Sequence, residues 1–175
     1  TDANNGVITL DTTAVTGTVA LTSHGTGNVT FDNGTLNLDL ATSNVGGILT
    51  VISGAAAGIT DSGTVTVAGN LVATTDANNG VIDLGQLAVT GTMDLTSHGS
   101  GNVTIDNGVL NLDLAASEVG GNLTVTSGAA AGITDSGTVT VAGNLVATTD
   151  ANNGVINLGT TVVTGTMDLT SHGTG

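Results

Sequence analysis

Short runs of alternating apolar and polar residues recur along the whole chain. Examples are Leu-Thr-Val at 123–125, Val-Thr-Val at 139–141 and Val-Thr-Ile at 103–105. This alternation is typical of β-strands that bury one face. Gly, Asn, Asp and Ser separate the runs, as turns require. No stretch has the spacing of an amphipathic helix, so the pattern predicts an all-β protein.

The runs belong to a longer tandem repeat. Positions 1–8 return as 75–82 and again as 149–156. Copies 1–74 and 75–148 agree at 61 of 74 positions, and a third, partial copy occupies 149–175. We interpret 1–175 as a single continuous segment of a β-solenoid. Because both ends fall inside the pattern, we expect it to be part of a much longer chain.

Each repeat divides into about three coils, which we place at 46–68, 69–90 and 91–119. Each coil holds three short runs, which predicts a three-sided parallel β-helix with about seven coils. A coil cannot bury its own inward side chains, so it depends on its neighbours. At about 4.8 Å per coil the rod would be on the order of 34 Å long. Thr50, Asn111 and Asp113 should face solvent, and the residues expected to face inward are Val51, Leu71, Ala73, Met93, Leu95, Val103, Ile105, Leu112 and Leu114.

Composition narrows the possible partners. The chain has no Lys, Arg, Cys, Pro, Trp or Tyr, and its formal net charge is −14. Nucleic acid is excluded as a partner, because binding a phosphate backbone requires Lys or Arg. The apolar runs are far too short to span a membrane, so we expect no membrane insertion. Divalent cations such as calcium are plausible partners of so acidic a chain, although no cofactor is required by the pattern.

Aspartates recur at what we take to be one turn position of successive coils. Stacked at about 4.8 Å, such carboxylates would raise one another's pKa or recruit a cation. The alternative is that Asp is simply favourable turn chemistry, with its side chain in water. The calcium candidates are Asp32, Asp61, Asp83, Asp106 and Asp135, with Asn157 next in the series.

Three histidines, His24, His98 and His172, occupy one loop position of successive repeats. Three coils would separate them by roughly 14 Å, which is too far for a shared zinc shell. We therefore expect surface histidines, and bridging between neighbouring rods stays open.

Two further functions are less favoured. Carboxylate pairs can serve glycoside hydrolysis, but a repeat would copy the pair everywhere, so we expect no enzyme. Flat threonine columns can bind ice, but Ile52 interrupts the column in this chain, and the ordinary preference of strands for threonine explains it better. The threonines assigned to one outward column are Thr22, Thr74, Thr96, Thr126, Thr148 and Thr170.

The run GNLTVTSGAAAGITDSGTVTVAG at 121–143 resembles the repeats of filamentous-haemagglutinin-like exoproteins, the large adhesins of bacterial two-partner secretion. The resemblance implies a right-handed parallel β-helix, export across the outer membrane and a role in adhesion or matrix building. Shaft repeats of this kind carry no catalytic residues, so none are assigned.

Together these observations predict a structural shaft of a bacterial cell-surface adhesin or extracellular fibre. Such rods could self-associate into fibres or bundles, and could reach a host or matrix surface through regions outside this sequence. The alternative is a ligand-binding solenoid that uses a regular outer face to bind a divalent cation, a glycan or ice.

Overall fold

The structure, a computed structural model, describes residues 1–2, 4–76, 79–150 and 153–174. Their regular elements are all short strands joined by turns, and no helix long and apolar enough to cross a membrane occurs among them. The strands are β1 Ile8–Leu10, β2 Thr18–Val19, β3 Val29–Asp32, β4 Leu38–Leu40, β5 Ser43–Val45, β6 Leu49–Ser53, β7 Ile59–Asp61, β8 Val65–Val67, β9 Leu71–Thr75, β10 Ile82–Leu84, β11 Leu87–Val89, β12 Thr92–Ser97, β13 Val103–Asp106, β14 Leu112–Leu114, β15 Ser117–Val119, β16 Leu123–Ser127, β17 Ile133–Asp135, β18 Val139–Val141, β19 Leu145–Thr149, β20 Ile156–Asn157, β21 Thr161–Val163 and β22 Met167–Thr170.

Each strand pairs in parallel with the strand one turn away along the chain. Leu49 of β6 lies beside Leu71 of β9, for example, and Leu71 lies beside Met93 of β12. The result is a β-solenoid of about 7 turns with about 22 residues per turn. The predicted all-β parallel solenoid is therefore confirmed.

Every turn has two sides and not the predicted three, because the two short strands of a turn lie end to end on one side: β12 pairs at its start with β14 and at its end with β15. We name the two sides by their ladders. Side 1 is the 11-stranded sheet that begins with β1, β3, β6, β9 and β12. Side 2 is the 8-stranded sheet, which contains β4, β7, β10 and β13, together with the 3-stranded sheet of β5, β8 and β11. The chain crosses side 1, then side 2, then returns to side 1 one turn higher.

Successive copies of the repeat lie on opposite sides of the rod. Three turns carry the ladder from Ile8 through Val29 and Leu49 to Leu71, all on side 1. Ile82, the repeat equivalent of Ile8, lies half a turn further, on side 2, where it pairs with Val103. One repeat therefore spans three and a half turns.

This alternation does not come from differences between the copies. Segments 53–82 and 127–156 are identical in sequence. Nevertheless, β9 is part of side 1, whereas the identical β19 is part of side 2. Position along the solenoid, and not local sequence, decides which side a strand joins.

In the first copy a turn has one long strand on side 1 and two short strands on side 2, as β6, β7 and β8 illustrate. In the second copy the long strand is on side 2 and the short pair is on side 1. The exchange happens at β12, whose first residues pair with β14 and whose last residues pair with β15. We call this exchange the handover.

The third coil predicted at 91–119 has the wrong boundaries for this reason. Met93 pairs with Leu114, so the turn that starts at β12 closes at β14, and β15 already belongs to the next turn. The coils at 46–68 and 69–90 agree with the observed ladder, in which Leu49, Leu71 and Met93 lie one turn apart.

Buried polar side chains complete the ladder where the handover would break it. Asn107 is fully buried, and its Oδ1 accepts a hydrogen bond from the Val89 N–H at 2.8 Å while its Nδ2 donates to the Val89 carbonyl at 2.9 Å. Its repeat equivalent, Asn33, makes the same two bonds to Val15. On the other side, Ser117 Oγ accepts from the Leu95 N–H at 3.1 Å. These side chains replace backbone groups that the shorter strands do not supply.

The core is a continuous column of aliphatic side chains inside the rod. All nine residues predicted to face inward are buried there. Thr50, Asn111 and Asp113, predicted to face solvent, are at most half-exposed because neighbouring turns cover part of each side chain.

Glycine permits close stacking at the tight corner before each long strand. A Cβ on Gly143 would collide with Asn122 Oδ1 and would lie 2.6 Å from the Gly121 carbonyl oxygen. Asn122 Oδ1 also accepts a hydrogen bond from the Asn144 N–H at 2.8 Å, and Asn102 does the same for Asn122. The corner is therefore an asparagine ladder that leaves no room for a side chain beside it.

Candidate functional site

The five candidate calcium aspartates do not form the predicted column. Asp32 and Asp135 lie on side 1, whereas Asp61, Asp83 and Asp106 lie on side 2. The ladder pairs each of them with uncharged residues: Asp32 pairs with Ile52, Asp61 with Leu40, Asp83 with Thr60 and Thr104, Asp106 with Thr126, and Asp135 with Leu114. The expectation of carboxylates stacked every turn is wrong for two reasons. The handover moves Asp32 and Asp135 to the other side from Asp61, Asp83 and Asp106. The three on side 2 are out of register, since Asp83 pairs with Thr60 and Thr104.

Asp32 and Asp106 act as turn residues. Asp32 Oδ1 accepts a hydrogen bond from the Gly34 N–H at 2.7 Å, and Asp106 Oδ1 accepts from the Gly108 N–H at 2.8 Å. Both glycines have positive φ, 57° and 55°, a conformation that glycine adopts without strain. These contacts match the alternative explanation given for the aspartates, namely local turn chemistry.

Asp61 and Asp135 each bind two backbone N–H groups of the next turn. Asp61 accepts from Gly85 at 3.1 Å and from Gln86 at 2.8 Å. Asp135, its repeat equivalent, accepts from Gly159 and Thr160 at 2.8 Å each. The carboxylate thus ties the corner of one turn to the strand end of the turn before it.

The same corner shifts the two pKa values in opposite directions. Burial raises the pKa of Asp61, the nearby charge of Asp83 adds to the rise, and the hydrogen bonds from Gln86 and Gly85 do not offset it. Burial alone would raise the pKa of Asp135 as well. Hydrogen bonds from Thr160, Gly159 and the Thr161 hydroxyl outweigh that effect, so the pKa of Asp135 is lowered overall. Asn157 replaces Asp83 in that copy, so the neighbouring charge is absent there.

The histidines follow the alternation too. His98 Nδ1 lies 2.6 Å from the Thr75 carbonyl oxygen of the turn below, and His24 and His172 make the same contact to the carbonyls of Thr1 and Thr149. The alternation places His98 at one end of the cross-section and the other two at the opposite end. No group of three or more His, Cys, Asp or Glu that could hold a metal occurs among the described residues.

The predicted threonine column is also divided. Thr74 pairs with Thr96 on side 1, whereas Thr126, Thr148 and Thr170 form a ladder on side 2. Thr22 pairs with Asn44. Uninterrupted threonine ladders are therefore short.

A shallow groove of about 380 Å³ opens at the handover on side 1, and sequence reasoning missed it. Asp94 and Glu118 line it together with Thr96, Thr138 and Thr140. Burial raises the pKa of Asp94. The signal was present in the repeat: Asp94 and Glu118 replace Ala20 and Asn44 of the first copy, two of the 13 positions that differ. Only the register between neighbouring strands shows that these two substitutions lie in the same groove.

Comparison with known proteins adds a family but no activity. The model of a family described as repeats of unknown function (DUF5649) matches residues 26–86 and 100–156. The second match begins at the repeat equivalent of the position where the first begins, so the matches follow the repeat. No curated protein and no solved structure matches the chain.

Proposed function

Because the chain belongs to the DUF5649 family of repeats, we propose a function that any number of such repeats can share. The chain is a segment of a structural shaft, a stiff spacer in a bacterial cell-surface adhesin or extracellular fibre. Its role is mechanical and not catalytic.

Continuity across the repeat boundary carries the proposal. The boundary between positions 74 and 75 falls inside β9, and the boundary between 148 and 149 falls inside β19. Both strands pair with strands on each side of them, so neither boundary interrupts the ladder or the core. Repeats joined in this way form one rod, whose length grows by three and a half turns, about 17 Å, per copy.

The cell-surface assignment rests on the resemblance of segment 121–143 to exported adhesin repeats. A chain without Cys needs no disulfides in an oxidising environment, which is compatible with export. Contact with a host or matrix would fall to regions beyond these repeats.

Small-angle X-ray scattering on this chain, and on a version extended by one copy of segment 75–148, tests the shaft. We expect the maximum dimension to grow by about 17 Å with an unchanged cross-section. A compact particle, or growth in cross-section, would contradict the proposal. Antibody labelling of intact source cells tests the location, and a signal only after lysis would contradict surface display.

A ligand-binding solenoid is the second candidate. The groove at Asp94 and Glu118 favours it, because two carboxylates appear together where the first copy has none. Isothermal titration with calcium, and a glycan array, test this candidate. Binding that Asp94→Ala with Glu118→Asn does not change would contradict a role for the groove.

A further inference from the structure

The half-turn alternation gives the two sides of a turn different chemistry. In the middle of each copy the long strands present no charge outward. We call these the uncharged patches: Thr50, Ile52, Val72 and Thr74 on side 1, and Thr124, Thr126, Val146 and Thr148 on side 2. All eight side chains are half-buried between buried neighbours, as expected for the outer face of a strand.

The short strands at the same levels carry the carboxylates. We call these the acidic patches: Asp39, Asp61 and Asp83 on side 2, and Asp113, Glu118 and Asp135 on side 1. Each uncharged patch is thus backed by an acidic patch on the opposite side of the rod. In the second copy the two exchange sides.

From this arrangement we propose that the uncharged patches are the surface on which a second copy of this chain packs. Two parallel rods, displaced sideways without axial shift, place side 1 of one against side 2 of the other. Each uncharged patch then meets an acidic patch in the middle of both copies. The proposal rests on the shaft function and specifies how shafts associate.

Hydrogen-bond chemistry supports this register. Threonine hydroxyls donate, and ionised carboxylates only accept. Asp83 and Glu118 accept no hydrogen bond within the described part of the chain. Their oxygens are therefore free to accept one from the neighbour, Asp83 from Thr74 and Glu118 from Thr124, because each threonine lies at the same end of the cross-section as its carboxylate. Such charge-assisted bonds are stronger than those between neutral groups.

Electrostatics also selects against other registers. A shift of three and a half turns would place acidic patch against acidic patch, and like charges facing each other cost free energy. The handover turns carry a carboxylate on both sides, as Asp94 and Asp106 show, so close contact is limited to the middle of each copy. The unshifted register keeps the acidic patches of the two rods away from each other along a rod of any length.

The contact is small per copy and adds up with repeats. Two five-residue strands about 4.8 Å apart cover roughly 160 Å². A stable interface buries about 800 Å² on each partner. About five copies would therefore be needed for tight association, and this chain should associate only weakly. Because side 1 meets side 2, the interface does not close, and assembly continues into ribbons.

The test compares two variants of equal charge. Thr74→Asp with Thr148→Asp adds a carboxylate to both uncharged patches. Thr66→Asp with Thr140→Asp adds the same charge to the two acidic sides. Sedimentation equilibrium at up to about 1 mM protein measures weak association, and about 0.5 M NaCl screens the overall repulsion.

We expect the native chain and Thr66→Asp with Thr140→Asp to associate with similar constants. We expect at least a tenfold lower constant for Thr74→Asp with Thr148→Asp, about 1.4 kcal/mol. Equal loss in both variants, or a native chain that stays monomeric throughout, overturns the proposal. Small-angle scattering from the monomer fraction distinguishes failure of this proposal from failure of the shaft proposal. A monomer that is a rod contradicts only the packing of rods, whereas a monomer that is not a rod contradicts both proposals.

Discussion

The side-chain amide of Asn107 pairs with the backbone of Val89 as a peptide group would. Its oxygen accepts from the Val89 N–H and its nitrogen donates to the Val89 carbonyl, at 2.8 and 2.9 Å, and both residues are fully buried. The end of one short-strand stack is thereby closed without a further strand.

Replacing Asn107 by alanine should destabilise the rod by about 2–5 kcal/mol, because two buried backbone groups of Val89 would lose their partners. Urea unfolding followed by circular dichroism measures the loss. Asn122→Ala is the control, since Asn122 is exposed and supports one N–H of the next turn. We expect a loss of about 1 kcal/mol there, and equal losses in the two variants would contradict the peptide-like role of Asn107.

Gly143→Ala should destabilise the chain by about 1–3 kcal/mol through overpacking. The added Cβ would meet the Gly121 carbonyl oxygen at 2.6 Å, and that backbone atom belongs to a paired turn. A Cβ on Gly85 would meet nothing within 4 Å. Gly85→Ala should therefore be neutral or slightly stabilising, by at most about 1 kcal/mol. Thermal unfolding of the two variants measures the difference in stability. A Gly143→Ala protein as stable as Gly85→Ala would show that the corner at Gly143 can accommodate a Cβ.

Asp94→Asn should raise the melting temperature at neutral pH. Burial raises the folded-state pKa of Asp94, so the folded protein prefers the protonated acid. The associated stability is present below the unfolded-state pKa, about 3.9, and is lost as pH rises through the folded-state pKa. The advantage of the asparagine should thus be present at pH 7 and absent at pH 3.

Asp168→Asn is the matched control for that experiment, because Asp168 is the repeat equivalent of Asp94 and is exposed. We expect no comparable gain from it at pH 7. A gain from Asp94→Asn that persists at pH 3 would point to a cause other than ionisation.

Adding EDTA should leave the melting temperature unchanged at moderate salt. The five candidate aspartates lie on two sides, and none of them is the direct pairing partner of another, so there is no stacked carboxylate column for calcium to bridge. A fall that added calcium reverses would falsify this expectation, and the Asp94 and Glu118 groove would be the first place to search.

Alternation of apolar and polar residues was sufficient to predict the strands and the core. Side chains alternate between the two faces of a strand, so the positions of the turns determine which side chains face inward. Residues such as Leu95 and Ile105 are buried as predicted. The number of turns followed from the number of runs.

The columns on the outer surface could not be predicted in the same way. They depend on which residue lies one turn above another, and turns differ in length: Leu49 stacks on Val29, whereas the longer turn from Ile59 ends at Ile82. One signal was available. At about 22 residues per turn, one copy holds more than three turns and fewer than four, so it is not a whole number of turns. Taking the copy as three whole coils placed Asp61 and Asp135 in one column, whereas they lie on opposite sides.

Because one copy spans three and a half turns, the number of copies determines the orientation of the rod's far end as well as the rod's length. Near-identical tandem sequences gain and lose copies by recombination. Removal of one copy would shorten the rod by about 17 Å, and it would also rotate everything beyond the deletion by half a revolution. Removal of two copies would restore the original orientation of the part beyond the deletion. Odd and even members of a length series would therefore point whatever they carry at their ends in opposite directions.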